Sequence, residues 1–181
     1  MIKLVSRAVN QFYKEKDHRM FKTLCGKPLN LCEELKIYIE SRGFILSERN
    51  DLPDFPSRSW NIHFDVYKQG KFEVCYSTSL QISKVAPLFN IGHCYSVENK
   101  DKNKIEPDLG DCSNKPYTKK QLELHERISA ALKKDGYIEL SDEDMYEIVE
   151  KFRKPEGIKG DNVSVNNLLF MDIYNILGDE D

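Results

Sequence analysis

The sequence has no long hydrophobic run, and charged residues interrupt its apolar stretches from the beginning. Lys3 and Arg7 break the apolar residues after Met1. A signal peptide needs an unbroken apolar core, and a membrane span needs about 20 apolar residues. We therefore expect a soluble protein of the cytoplasm that makes no membrane contact.

The common signatures of metal-binding and catalytic sites are also missing. No Cys-x2-Cys or His-x3-His pair occurs, and His125-Glu126 is followed at position 129 by serine where a zinc protease has its second histidine. Gly157 and Gly160 lack the lysine of a phosphate-binding loop, and no Gly-x-Ser-x-Gly motif marks a serine nucleophile. We expect no metal and no cofactor, and we favour a non-enzymatic role.

The cysteines are few, odd in number and irregularly spaced. Secreted disulfide frameworks use even numbers of cysteines, so this set is more typical of reduced thiols and leaves at least one unpaired. The five are Cys25, Cys32, Cys75, Cys94 and Cys112.

Length and composition are those of an ordinary globular chain. The 181 residues are 40% hydrophobic and 31% charged, and a chain of this size can bury roughly 70% of its unfolded surface. The sequence therefore predicts a single domain over residues 1–181.

The N-terminal region is predicted to be helical over residues 1–46. Apolar residues recur with helical spacing over 2–24, which indicates one helix or two with a kink. A further helix is expected to begin at Asn30, a good N-cap, and to end at Gly43. Residues 47–58 hold two prolines and are predicted to be an irregular loop.

Residues 59–97 are predicted to form a short antiparallel β-meander. From Trp60 the apolar residues alternate with polar ones, and a turn near Gly70 separates two such runs. A third run surrounds His93. This gives three strands, with an optional fourth at 44–46.

Residues 98–117 are polar and rich in turn formers, so they are predicted to be a long loop. Thr118 and Gln121 have the spacing of a capping box, and Ser141 is expected to start another helix that continues to Pro155. Residues 118–177 are thus predicted to be helical. The expected fold class is α+β, with a meander of three to four strands between N-terminal and C-terminal helices.

His93 is the most unusual histidine, because alternation places it on the apolar face of its strand. A buried imidazole needs a hydrogen-bond partner, so we interpret His93 as structural. Cys75 and Cys94 fall on the opposite face and are poorly placed as nucleophiles beside it. If the protein is an enzyme, the candidates are His63 or His93 acting with Asp65, because His63 and Asp65 share the polar face of one strand.

The acidic excess lies entirely in the second part of the chain. Residues 1–100 contain 15 basic and 11 acidic residues, whereas residues 101–181 contain 12 basic and 19 acidic ones. This asymmetry favours a basic protein partner over nucleic acid. The candidate partner-binding residues are Asp108, Asp111, Asp142, Glu143, Asp144 and Glu147.

Small size and acidity make the chain resemble intracellular immunity or antitoxin proteins, although no sequence motif carries the resemblance. It implies an inhibitor that masks a basic toxin with an acidic C-terminal face. Two alternatives stay open: a small cytosolic enzyme with a histidine and carboxylate site near the sheet, and a regulatory subunit.

Overall fold

The structure, a computed structural model, describes residues 2–49, 55–101, 103, 109–155 and 162–178. Over these residues the chain is an α+β protein with one seven-stranded sheet, one two-stranded sheet and six α-helices. The expected α+β class is therefore right in outline, but the predicted short meander of three to four strands is wrong.

The elements follow one another in a mixed order rather than in three separate regions. The helices are α1 (Lys3–Val9), α2 (His18–Cys25), α3 (Glu33–Ser41), α4 (Lys119–Lys134), α5 (Asp142–Tyr146) and α6 (Val165–Leu169), and a π-helical turn, Asn10–Lys14, joins α1 to α2. The strands are β1 (Ile45–Arg49), β2 (Ser57–His63), β3 (Tyr67–Gln69), β4 (Phe72–Ser83), β5 (Leu88–Asn99), β6 (Leu109–Ser113), β7 (Ile138–Leu140), β8 (Ile148–Arg153) and β9 (Asn162–Ser164).

The large sheet is built around the two twelve-residue strands β4 and β5. Its main order is β1-β2-β4-β5-β6, and all of these neighbours are antiparallel. Strand β3 pairs with the first residues of β4, and β7 runs parallel to the first residues of β5. Each long strand therefore has different neighbours along its length.

One face of the large sheet is covered by α3 and α4. Residues directly opposite each other on antiparallel strands point to the same face, so Trp60, Leu80 and Ile91 lie in one row beneath the helices. Burying each such side chain stabilises the fold by about 1.5–3 kcal/mol. The buried residues of this core are Leu31, Leu35, Ile39, Phe44, Trp60, Ile62, Phe64, Leu80, Ile82, Phe89, Ile91, Leu124, Ile128 and Leu132.

A second core joins residues near the start of the chain to residues after position 140. Phe12 and Phe21 of the N-terminal segment are in edge-to-face contact, with ring centroids 5.6 Å apart. They belong to one buried cluster with Leu168, Leu169 and Phe170. Leu88 of β5 is part of the same cluster, so the end of the large sheet contributes to it as well.

Several strands that the sequence did not predict lie in segments predicted to be loops. β1 extends to Arg49 and thus enters the predicted loop at 47–58, and β5 continues to Asn99. β6 lies inside the predicted loop at 98–117. Its first four residues are exposed at the edge of the sheet, which is why the alternating apolar pattern of a half-buried strand is weak there.

The prediction of helix over residues 118–177 is also wrong. Ser141 does cap a helix, but that helix ends at Tyr146 and strand β8 follows at once. The expected last helix is replaced by β9, the five-residue α6 and turns. In so short a segment, apolar residues that fit helical spacing also fit a strand, so periodicity does not decide between them.

Local signals predicted other boundaries well. The Thr118 side chain accepts a hydrogen bond from the Gln121 backbone, and Gln121 completes the capping box of α4. Gly136 follows that helix with a positive φ of 84°. The helix expected to start at Asn30 begins instead at Glu33, after Cys32.

No described helix is long and apolar enough to cross a membrane.

Candidate functional site

A chain of hydrogen bonds links the core of the sheet to its surface through two histidines. Thr78 of β4 lies opposite His93 of β5, and the hydroxyl of Thr78 is 2.9 Å from Nδ1 of His93. Nε2 of His93 is 2.9 Å from Nδ1 of His125 on α4. Nε2 of His125 is 2.8 Å from a carboxylate oxygen of Glu139 on β7.

The carboxylate at the end of this chain fixes the direction of every hydrogen bond. Glu139 can only accept, so Nε2 of a neutral His125 donates to it and Nδ1 is left as an acceptor. His93 then donates from Nε2 to His125 and accepts at Nδ1 from the hydroxyl of Thr78. Both nitrogens of the buried His93 ring are thus satisfied, as a structural histidine requires.

The surroundings shift the pKa values of His93 and Glu139. Burial and, to a smaller extent, the charge of His125 lower the pKa of His93, the Glu139 carboxylate raises it, and the net result is a pKa of about 4. Burial alone would raise the pKa of Glu139, but hydrogen bonds from Lys133 and Ser129 and the charge of His125 outweigh it and lower that pKa. Glu139 is thus held as an anion at the end of the chain of hydrogen bonds.

The arrangement does not form a metal site among the residues that the structure describes. The ring nitrogens of His93 and His125 point at each other and at Thr78 and Glu139, so none of the four converges on a common point. The fully buried ring of His93 is also out of reach of a substrate.

The other predicted catalytic residues lie elsewhere. His63 is exposed on the opposite face of the sheet from His93, with Nε2 3.5 Å from the hydroxyl of Ser47. Asp65 is exposed after the end of β2 and pairs with Lys120 at 2.8 Å. The structure therefore does not bring the three candidates together.

The predicted partner-binding acids are divided between the two faces of the sheet. Asp111 lies on β6 in the row of Tyr76 and Tyr95, on the same face as His93. Asp142 lies on the opposite face, where it lines a groove. Asp108 lies outside the described residues.

The remaining predicted acids follow Asp142 along the chain. Asp144 completes the cap of α5, with its carboxylate 2.9 Å from the Ser141 backbone nitrogen. Glu143 is exposed, and Glu147 follows α5 with its backbone carbonyl bonded to Val165. These residues therefore do not form one continuous acidic face with Asp111.

The groove beside Asp142 has a polar floor made by β4 and β5. It encloses about 310 Å³ and is bounded by β6, α5 and α6. Among the described residues that line it, Asp142 has the one charged side chain. The lining residues are Ser79, Gln81, Asn90, Gly92, Cys94, Cys112, Ser113, Asp142, Met145, Tyr146 and Asn166.

A disulfide between Cys94 and Cys112 lies in the wall of this groove. The two cysteines are directly opposite each other on β5 and β6. Cys25, Cys32 and Cys75 are not part of a disulfide. The expectation of fully reduced cysteines is therefore wrong for one pair, which antiparallel pairing brings together although 18 residues separate it in the sequence.

An apolar surface lies at the end of the sheet that none of the described helices covers. We call this region the arm: β3, residues 72–76 of β4, residues 95–99 of β5, and β6. Cross-strand pairing aligns Tyr67, Val74, Val97 and Leu109 in one row on one face. Tyr67 is 60% exposed and Leu109 is 61% exposed, and Phe72, on the same face, is 53% exposed.

The start of α4 determines where this apolar face becomes exposed. The buried amide of Gln121 donates hydrogen bonds to the backbone oxygens of Ser77 and Cys94. This fixes the first turn of the helix above the row that contains Thr78 and His93. The arm extends beyond that row, and Tyr117, just before the helix, contacts Tyr95 with ring centroids 4.8 Å apart.

The opposite face of the arm is charged and internally paired. Glu73 lies 2.7 Å from Lys68 and also pairs with Lys100, which contacts Glu98. Lys71 and Asp101 form another pair at 2.6 Å. The arm thus has one face with balanced charges, suited to water, and one face that is apolar and exposed.

The sequence contained the signal for this surface, because Phe72, Val74 and Tyr76 alternate with polar residues. The alternation predicted a strand, but it did not show that the apolar face of this strand is exposed. Comparison of the chain with known protein families, with curated proteins and with solved structures finds no match to any of them.

Proposed function

We propose that this chain is a protein-binding module and that the apolar face of the arm is its contact surface. The observation that carries the proposal is the row Tyr67, Val74, Val97 and Leu109, extended by Phe72, on the uncovered end of the sheet. Contiguous apolar patches of this kind on a protein surface mark interaction sites.

The composition of the patch supports binding to another protein. Tyrosine and phenylalanine are enriched in interface cores, and they contribute large contact areas at low entropic cost. Tyr67, Phe72, Tyr76 and Tyr95 all lie on this face. They project from paired strands, so the surface is already ordered before a partner arrives, which reduces the entropic cost of binding.

Charge favours a basic partner. Asp111 lies at the edge of the apolar face, in the row of Tyr76 and Tyr95, and the chain carries a net charge of −3. A partner with an apolar patch and basic side chains around it would match both features and would associate faster at low salt. Inhibition of such a partner by masking its active site is the role we propose.

Capture from a cell extract with the immobilised chain tests the proposal. The wild-type chain should retain a basic protein at low ionic strength, and the triple substitution Tyr67→Ser, Phe72→Ser, Leu109→Ser should abolish retention. Ile45→Ser is the matched control, because Ile45 is 68% exposed on a strand of the same sheet but on the opposite face. Circular dichroism should show that all variants remain folded.

Two results would contradict the proposal. If the triple variant retains the same protein as the wild type, the arm is not the contact surface. If light scattering shows that the wild type self-associates through the arm and captures nothing else, the occupant is a second copy of the chain rather than a basic partner.

A further inference from the structure

The cysteines of this molecule are in two different states. Cys32 is exposed and remains a free thiol, while Cys94 and Cys112 are joined. Disulfides that are exposed to solvent are the ones that exchange most readily with other thiols.

The location of the disulfide makes it accessible from the groove. Cys112 is exposed on the edge strand β6, and Cys94 is partly buried on β5. Both line the 310 Å³ groove, which has room for about ten water molecules or one small organic thiol. We therefore expect an entering thiol to attack Cys112, the more exposed residue of the pair.

We propose that Cys94–Cys112 is a thiol–disulfide exchange site that takes a small, uncharged or cationic thiol through the polar groove. The entering thiolate attacks the sulfur of Cys112 and forms a mixed disulfide. The bond to Cys94 breaks, and Cys94 leaves as a thiolate that takes a proton from water.

A second thiol completes the exchange. Its sulfur attacks the mixed disulfide, and Cys112 leaves as a thiolate. In total, the protein disulfide and two thiols give two protein thiols and one small disulfide, so the protein is reduced and the small thiol is oxidised.

The charge preference follows from the lining of the groove. Within the described part of the chain, Asp142 is the one charged side chain of the groove, and no lysine or arginine lines it. Attack requires a thiolate, and a second negative charge on the thiol would be repelled by the Asp142 carboxylate. A cationic group on the thiol would be attracted by it.

Exchange also has a structural consequence for β6. This strand pairs with β5 over five residues at the edge of the sheet, and the disulfide is its covalent link to β5. Edge strands with exposed backbone hydrogen bonds are the parts of a fold that open most easily. We expect reduction to loosen residues 109–113 while β4 and β5 stay paired.

The test measures loss of the disulfide in the full-length protein purified without reductant. The probes are cysteamine, 2-mercaptoethanol and 2-mercaptoethanesulfonate, which are cationic, neutral and anionic, compared at equal thiolate concentration. Differential alkylation and peptide mass spectrometry follow Cys94 and Cys112 separately. We expect a mixed disulfide on Cys112, and cysteamine should react about three- to fivefold faster than the sulfonate.

Two variants connect the charge preference to the groove. Asp142→Asn should bring the ratio of the two rates close to one. Glu143→Gln is the matched control, because Glu143 is the next residue, carries the same charge and does not line the groove; it should leave the ratio unchanged. Hydrogen exchange should show faster deuterium uptake at 109–113 after reduction, without the same change in β4.

Several results would overturn the proposal. If all five cysteines of the untreated protein are alkylated, the disulfide is absent. If the rate of reduction does not depend on thiol concentration, the bond breaks only after unfolding. If the wild type shows no charge preference, or Asp142→Asn keeps the wild-type ratio, the thiol does not enter through the groove.

Discussion

Nε2 of His93 lies 2.9 Å from Nδ1 of His125, and this contact joins a fully buried ring on the sheet to a partly exposed ring on helix α4. Nε2 of His93 can donate a hydrogen bond to Nδ1 of His125 only while both rings are neutral or while the additional proton is on His93. The contact therefore connects the packing of α4 on the sheet to the protonation state of the pair.

Stability should fall as the solution is acidified through the range in which free histidine titrates. The pKa of His93 is about 4 in the folded protein, below the value of about 6.5 expected when unfolded. Between these two pH values the His93 side chain therefore binds a proton in the unfolded chain but not in the folded one. Above pH 6.5 this group has no effect, and between pH 6.5 and 4 it lowers the free energy of unfolding by up to about 1.4 kcal/mol per pH unit.

Urea unfolding at pH 7.5, 6.5, 5.5 and 4.5 measures this slope. His63→Gln is the control, because it removes an exposed histidine from the same sheet and should leave the slope unchanged. An NMR titration that places the His93 midpoint near 6.5 would show that the prediction is wrong.

Glu139→Ala should destabilise the fold by about 1–3 kcal/mol, because three donors lose their acceptor. These donors are His125, Ser129 and Lys133, at 2.7–2.9 Å from the carboxylate. Thermal and urea unfolding at pH 7.5 measure the change.

Glu123→Ala is the matched control for this measurement. It removes a carboxylate from the surface of α4, where Glu123 forms an exposed ion pair with Arg42 at 2.9 Å. Exposed pairs contribute about 0–1 kcal/mol. Equal losses in the two variants would contradict a structural role for Glu139.

Asn114→Ala should destabilise the sheet locally, because the Asn114 side chain fills the gap between β6 and β7 along the edge of β5. Its Nδ2 donates to the Ile91 backbone oxygen at 2.6 Å, and its Oδ1 accepts from the Asp142 backbone nitrogen. Loss of both bonds should cost about 1–3 kcal/mol. The control is Asn166→Ala, whose amide contacts the sulfur of Met171 at 3.6 Å. A loss under 0.5 kcal/mol for Asn114→Ala, about the size of a neutral surface change, would contradict this account.

Charge reversal at Asp111 should slow association with the captured partner more than reversal at Glu143. Asp111 lies on the apolar face of the arm, whereas Glu143 lies on α5 near the opposite face. Surface plasmon resonance at two salt concentrations compares Asp111→Lys with Glu143→Lys. An equal or larger effect of Glu143→Lys would move the contact surface from the arm to α5.

What could be predicted from the sequence depended on how local each signal was. The cap of α4 at Thr118 and Gln121 involves residues three apart, and the sequence predicted it correctly. The need of His93 for a partner was also evident. The identity of that partner was not, because His125 is 32 residues away on a helix whose position over the sheet depends on tertiary packing.

The arm shows the same limit. The alternation of Phe72, Val74 and Tyr76 correctly predicted a strand with an apolar face. Whether that face is buried depends on where α4 begins relative to β4 and β5, which the Gln121 contacts determine in three dimensions. The strand at Ile148–Arg153 was missed because so short a segment fits both periods.

The second core also sets an order of events during synthesis. Phe12 and Phe21 leave the ribosome early, but Leu168, Leu169 and Phe170, which complete their cluster, are made about 150 residues later. Because synthesis proceeds at about 5–20 residues per second, the apolar sides of the N-terminal helices lack these packing partners for roughly 7–30 seconds. The apolar sides of these helices are therefore exposed in the nascent chain during that time, although the finished protein keeps Phe12 and Phe21 buried.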